Sequence, residues 1–247
     1  MSEEASRPQA GNLIGEHRVS WRRLAWRVVF GGAMLALAAV LIVARRVEGP
    51  PLFALLTLIA LFILLLVGLW QLAAAARLLW IDPHLVLYDV GLRYVTRRRE
   101  KRWRWERFSA LRNNARVHRL LRIPILATGG WSLYIDGKRA LRAGYDFQRA
   151  RALGDALEIH TAEVIWPRYT DAFHRGKKLS FGRISANQDR IWQGRKEVRW
   201  ADMTAWEARE GDLILTTNNG KTTRFRMRGA PNAHVLLMLV ESVSKYR

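Results

Sequence analysis

An uncharged apolar hairpin constrains this chain more than any other feature. Val28 to Ala44 holds no ionisable residue, and neither does Leu52 to Ala76. At 1.5 Å per helical residue, each run is long enough, or nearly so, to cross a hydrocarbon layer of about 30 Å. The link between them, Arg45-Arg46-Val47-Glu48-Gly49-Pro50-Pro51, is short. Gly49-Pro50-Pro51 reads as a turn, and Pro51 suits the opening of the second helix. A transmembrane helical hairpin is therefore expected over 17–80, with spans at about 27–45 and 52–72. Gly31, Gly32, Ala33, Ala36 and Ala39 on one helix, and Gly68 and Ala73 to Ala76 on the other, are small enough for close packing. Without an ionisable group in either span, no proton or ion path is expected there.

The flanks set the expected topology. Arg18, Arg22, Arg23 and Arg27 precede the first span, with Trp21 and Trp26 interleaved as interfacial anchors. Arg77 and a cluster beginning at Arg93 come after the second, whereas Glu48 partly offsets Arg45 and Arg46 in the link. Both termini are expected in the cytoplasm. Residues 1–16 are polar, with Pro8 and Gly11, and read as a disordered lead. A cleaved leader is disfavoured, because the apolar run starts late, lacks a small-x-small site and is succeeded at once by a second span. The second helix is expected to continue past the membrane to a stop at Asp82-Pro83.

Mean hydropathy is only −0.10 although half the residues are hydrophobic, so the chain beyond the hairpin is polar. It is also basic, since the 247 residues carry a formal charge of +20. Such an excess implies an anionic neighbour, and for a membrane-anchored chain the lipid surface is the nearest one. The absence of cysteine excludes disulfides, Cys-ligated zinc and thiol catalysis. His17, His84, His118, His160, His174 and His234 are scattered and form no HExxH pair. Gly31-Gly32 and Gly129-Gly130 lack the Lys-Ser or Lys-Thr of a phosphate loop. No catalytic residue, metal or cofactor is expected.

From Leu85 the pattern changes from helical to extended, and it repeats. Arg102-Trp103-Arg104-Trp105-Glu106-Arg107-Phe108-Ser109-Ala110-Leu111 returns as Glu197-Val198-Arg199-Trp200-Ala201-Asp202-Met203-Thr204-Ala205-Trp206. Trp103 and Trp105 face one way and Arg102 and Arg104 the other, which makes the tryptophans core. Asp136-Gly137 in the first copy and Asn219-Gly220 in the second predict two-residue hairpin turns. A helix comes after each turn. The first runs from about Phe147 to His160, and the second starts near Pro231 and buries Val235, Leu236, Leu239 and Val243. The first copy has about a dozen extra residues within Asn113 to Gly130. Between the copies, Val164, Ile165, Tyr169 and Phe173 predict a second short helix, entered at Pro167 and ended at Gly176. The expected units are therefore 81–160, a helical connector at 161–178, and 179–247. Short antiparallel strands closed by an amphipathic helix define an α+β class.

Phe181-Gly182, Trp200-Ala201-Asp202-Met203 and Ala230-Pro231-Asn232 carry a resemblance. The order of strands, hairpin and helix resembles bacterial pleckstrin-homology-like (PH-like) domains. The whole chain is similar to a family of uncharacterised bacterial membrane proteins with a helical hairpin and two such domains. The first copy departs from the pattern where Arg107 replaces Asp202. The resemblance implies a seven-stranded bent sheet or barrel with a C-terminal helix in each copy, in the bacterial inner membrane. It implies no activity, because this fold is a scaffold for many partners.

Arg97, Arg98, Arg99, Lys101, Arg102 and Arg104 are the most informative polar residues, lying just after the anchor at a predicted hairpin tip. Each contributes about 1 kcal/mol against an anionic bilayer surface. The sequence thus points to a non-catalytic adaptor or sensor that binds a protein, a peptide or anionic lipid headgroups, with an unidentified protein partner expected. One alternative is a structural subunit of a larger membrane complex. A nucleic-acid-binding role is disfavoured, because it needs exposed aromatics among the basic residues, and Trp103 and Trp105 are assigned to the core.

Overall fold

The computed structural model describes residues 11–44, 51–114, 116–120, 123–144 and 146–245. Strand β1 (Leu13–His17) comes first, then helices α1 (Trp21–Ala44) and α2 (Pro51–Ile81). The helices are long and apolar enough to cross a membrane, and little of either is buried within the protein. Their seam is built on small residues. A Cβ on Gly31 would stand 3.1 Å from the Gly68 carbonyl oxygen, and one on Gly68 the same distance from that of Gly31. Leu24, Gly31 and Ala38 recur on one helix at heptad spacing, as do Gly68 and Ala75 on the other. Leu24, Ala38 and Ala75 are buried. Gly32 faces open space and takes no part. Helix α2 ends at Ile81 as expected, with Asp82 in a left-handed conformation (φ 45°) before Pro83.

After the helices come β2 (His84–Tyr88), β3 (Gly91–Val95) and β4 (Glu100–Arg104), which with β1 make an antiparallel sheet in the order β1-β2-β3-β4. A 3-10 turn at Trp105–Arg107 leads to β5 (Ala110–Asn113). The extra residues of this copy form their own hairpin, β6 (Arg116–Leu120) and β7 (Ile123–Thr128). Then β8 (Gly130–Ile135) and β9 (Lys138–Gly144) complete a sheet ordered β5-β8-β9, ahead of α3 (Ala150–His174). The second copy repeats the plan. Strands β10 (Leu179–Phe181), β11 (Ile184–Ala186), β12 (Arg190–Gln193) and β13 (Lys196–Arg199) form one sheet. A 3-10 turn at Trp200–Asp202 leads to β14 (Met203–Arg209), β15 (Asp212–Thr217) and β16 (Thr222–Arg226), and α4 (Ala233–Lys245) closes the copy. Apart from the β6–β7 hairpin of the first, each copy is thus a pair of open antiparallel sheets with a helix.

The repeated tryptophans share one role. Trp105 and Trp200 are each 3% exposed. The Trp105 indole donates to the Tyr88 carbonyl at 2.9 Å, and that of Trp200 to the Asn187 carbonyl at 2.6 Å. The registers make Tyr88 and Asn187 equivalent, since Leu87 pairs with Leu92 as Ala186 pairs with Ile191. Trp103 is half-buried where its counterpart Val198 is fully buried.

Three expectations are corrected. Residues 11–16 are no disordered lead: Leu13–His17 pairs with β2, Glu16 opposite Val86 and His17 opposite Leu85. Residues 1–10 lie outside the described residues. His17 takes the place of Phe181 in the second copy and is buried, its Nδ1 3.1 Å from the Gln148 carbonyl. The helical hairpin is therefore an insertion between the first two strands of a sheet, where the second copy has only Gly182-Arg183. Next, no separate connector helix begins at Pro167. Helix α3 runs 25 residues through that proline. An interior proline costs about 3 kcal/mol, and burial on both sides of it offsets this. Leu153 and Leu157 fill the first core; Ile165 fills the second, with Tyr169 and Phe173 packed against it. Finally, Asp136-Gly137 has positive φ at both residues, as a two-residue turn requires, but Asn219 does not. Asn219 instead accepts from the Lys221 amide through its side chain, in a wider loop.

The copies are joined at Asn232, which is buried with φ 54°. Its side-chain oxygen accepts from the Leu111 amide at 2.8 Å, and its own amide donates to the Leu111 carbonyl at 2.7 Å. Its Nδ2 donates to the Tyr169 hydroxyl at 3.1 Å.

Candidate functional site

The first copy presents one end of its sheets to the helices. There β1 hands over to α1, α2 hands over to β2, and the β3–β4 tip and the loop after β9 come alongside. The tip is tied by the Thr96 amide donating to the Arg99 carbonyl at 2.8 Å and the Arg99 amide donating to the Thr96 hydroxyl at 3.1 Å. It is docked on the end of α2. The Arg97 amide donates to the Ile81 carbonyl at 3.1 Å, satisfying one of the helix's terminal acceptors. The Arg98 guanidinium lies 5.5 Å from the centre of the Trp80 ring, a contact worth about 0.5–1 kcal/mol when exposed.

The six basic residues singled out from the sequence do not form one cluster. Arg97, Arg98 and Arg99 are exposed at the tip. Lys101, Arg102 and Arg104 run away from it along β4. Arg102 is paired with Glu100, and Arg104 lies 3.4 Å from Glu106. Glu100 also bonds Arg93 at 2.7 Å. Hydrogen bonds from Arg93 and then Arg102 hold the Glu100 carboxyl below the usual range. Of these six, Arg97 to Arg99 and Lys101 have no carboxylate partner among the described residues.

The root of α1 sits at the same end. The Ser20 amide donates to the Asp146 carbonyl and the Gln148 amide to the Arg18 carbonyl, each at 2.7 Å. Arg27 meets the Asp146 carboxylate at 2.8 Å, both partly buried. This contact lies beside the predicted start of the first span, so the loop after β9 grips the helix at its base.

The second copy has a corresponding end, and sequence reading missed it. A cleft of about 820 Å³ opens between the β10–β11 turn, the β12–β13 turn and the end of β16. Arg183, Lys196, Arg224, Arg226 and Arg228 line it, and Arg112 joins them from the first copy. The available signal was the alternation of Arg224, Arg226 and Arg228 with buried Phe225 and Met227, a strand with one basic face. The other contributors are dispersed over the chain. Among the described residues no group of histidine, aspartate and glutamate is placed to hold a metal ion.

The architecture is that of a mixed α+β protein with two apolar helices set into its first sheet. The chain belongs to a family of unknown function, DUF6585, whose model matches residues 1–247. No curated protein matches it.

Proposed function

We propose that this chain is an integral membrane protein without catalytic activity, an adaptor or sensor whose two PH-like repeats work at an anionic lipid surface. α1 and α2 are the membrane anchor, both termini are cytoplasmic, and the bacterial inner membrane is the setting. The PH-like reading is supported by the repeated plan of four strands, a Trp-bearing turn, three strands and a helix. One observation carries the function: the Arg97–Arg99 tip is bonded to the last turn of an apolar helix. Trp80 and these arginines come just after the uncharged run ends at Ala76, in the place that aromatic and basic residues take at membrane interfaces.

The test uses the full chain extracted in a mild neutral detergent. Co-purifying phospholipids are quantified for the native protein and for a variant with Arg97→Gln, Arg98→Gln and Arg99→Gln. Loss of retained anionic lipid, with neutral lipid and melting temperature unchanged, is expected. Equal retention in both proteins rejects docking through the tip.

A further inference from the structure

The cleft of the second repeat is a separate matter from the tip. We propose that it binds a compact ligand carrying two or more phosphate groups, chemistry shared by a phosphorylated lipid headgroup and a soluble polyphosphate.

Charge comes first. Six cationic side chains line the cleft against one carboxylate, Asp212, which pairs with Arg224 at 3.0 Å. No other carboxylate pairs with the six among the described residues. Gathering like charges is unfavourable unless an anion relieves it, and the core below, built from Phe225 and Met227, does not need them.

The site is also preformed. Gln193 donates to the Arg226 carbonyl at 3.2 Å and accepts from the Arg226 amide at 3.0 Å. The Lys196 ammonium donates to the Arg224 carbonyl at 3.0 Å. These bonds strap the β12–β13 turn to β16, across the gap between the two sheets. Arg228 is fixed by the Glu210 carbonyl at 3.2 Å. The exposed guanidiniums of Arg183 and Arg226 remain on the walls. Planar forks of this kind engage phosphate oxygens in pairs.

The lining also narrows the ligand class. Among the described residues no aromatic side chain lines the cleft, so it offers nothing for a nucleobase to stack on. Among the described residues its apolar side chains are those of Ala230 and Pro231, and the rest of the lining is glycine, Gln193, Asp212 and the six cations.

Position favours the lipid as the source. Arg112 lies two residues before Asn114, whose amide donates to the Gly130 carbonyl at 2.8 Å. Gly130 pairs with Gly144, which opens the loop that grips the root of α1. Arg112 thus ties the cleft, through β5 and its sheet, to the repeat that carries the helices. The lipid source rests on the membrane reading above; binding of a free anion does not.

The experiment uses the full chain in neutral detergent. Inorganic tripolyphosphate is titrated calorimetrically, and cardiolipin or phosphatidylcholine is then added as competitor. Saturable one-to-one binding that weakens with salt is expected. Arg183→Gln with Arg226→Gln should weaken it about tenfold or more, the scale of one or two charge-assisted hydrogen bonds. A second variant, Arg183→Lys with Arg226→Lys, keeps charge and fold and should show an intermediate loss. Competition by cardiolipin supports the lipid source; binding of tripolyphosphate without competition supports a soluble one. No saturable binding of either probe overturns the proposal, as does binding unchanged in the Gln pair. Loss of binding only in the Arg97–Arg99 Gln variant overturns the cleft while leaving the tip reading intact.

Discussion

Asn232 shows how much one side chain can hold. It satisfies the backbone of Leu111 in a different repeat, and its left-handed φ suits asparagine better than most residues. Asn232→Ala should leave the buried Leu111 amide without an acceptor and destabilise the chain by about 1–3 kcal/mol or more, read as a lowered urea midpoint. His234, in the first turn of α4 with its Nε2 3.4 Å from the Thr161 hydroxyl of α3, sets a pH dependence. Burial pushes its pKa from 6.5 down to about 4. Above the unfolded value the imidazole is neutral in both states, and stability is complete. As pH falls toward the folded value, the unfolded chain takes up a proton that the folded chain refuses, and stability drops by up to about 3 kcal/mol. His234→Gln should flatten this part of the profile in urea melts between about pH 7 and pH 4. At this scale the sequence discloses the repeated tryptophans, because their neighbours recur in order. It does not disclose the partner of Asn232, because nothing local to Pro231-Asn232 points to Leu111.

Among the elements, the insertion of α1 and α2 between β1 and β2 makes a direct prediction. Replacing 18–84 with a two-residue turn copied from Gly182-Arg183 should give a folded protein that stays in solution without detergent. A chain begun at Asp82 lacks β1 and leaves the β2 edge open beside buried Leu85 and Leu87, so it should melt lower or aggregate. Equal melting of the two proteins, by circular dichroism, would show that β1 contributes nothing to the sheet. The helices were legible because length and lack of charge suffice to define them. Strand β1 was not, since five residues without clear alternation carry no period and their partner lies beyond the whole hairpin. Helix α3 was misread as two helices because proline is a reliable local signal, and the packing that overrides it comes from two separate cores.

For the whole molecule, β1 and β2 lie in one sheet, so the chain enters and leaves the helical pair on one face. Reporter fusions at Gly11 and Arg247 should therefore agree, and both should be active only as cytoplasmic reporters. An exported reporter at either end would contradict the proposed topology. The tip was visible in the sequence as a run of arginines, whereas the cleft assembles from stretches scattered between Arg112 and Pro231 and appears only when the chain folds. During synthesis the ribosome releases Leu13–His17 well before His84–Tyr88, so the first strand must wait for its partner. In a bilayer, the pair can meet only if both helices have inserted and returned the chain to its starting side. A half-inserted hairpin strands β1 across the lipid from β2, and the first core stays open. Under the proposed topology, pairing of β1 with β2 is therefore a structural readout of complete insertion: it forms only in a chain whose two helices have both crossed.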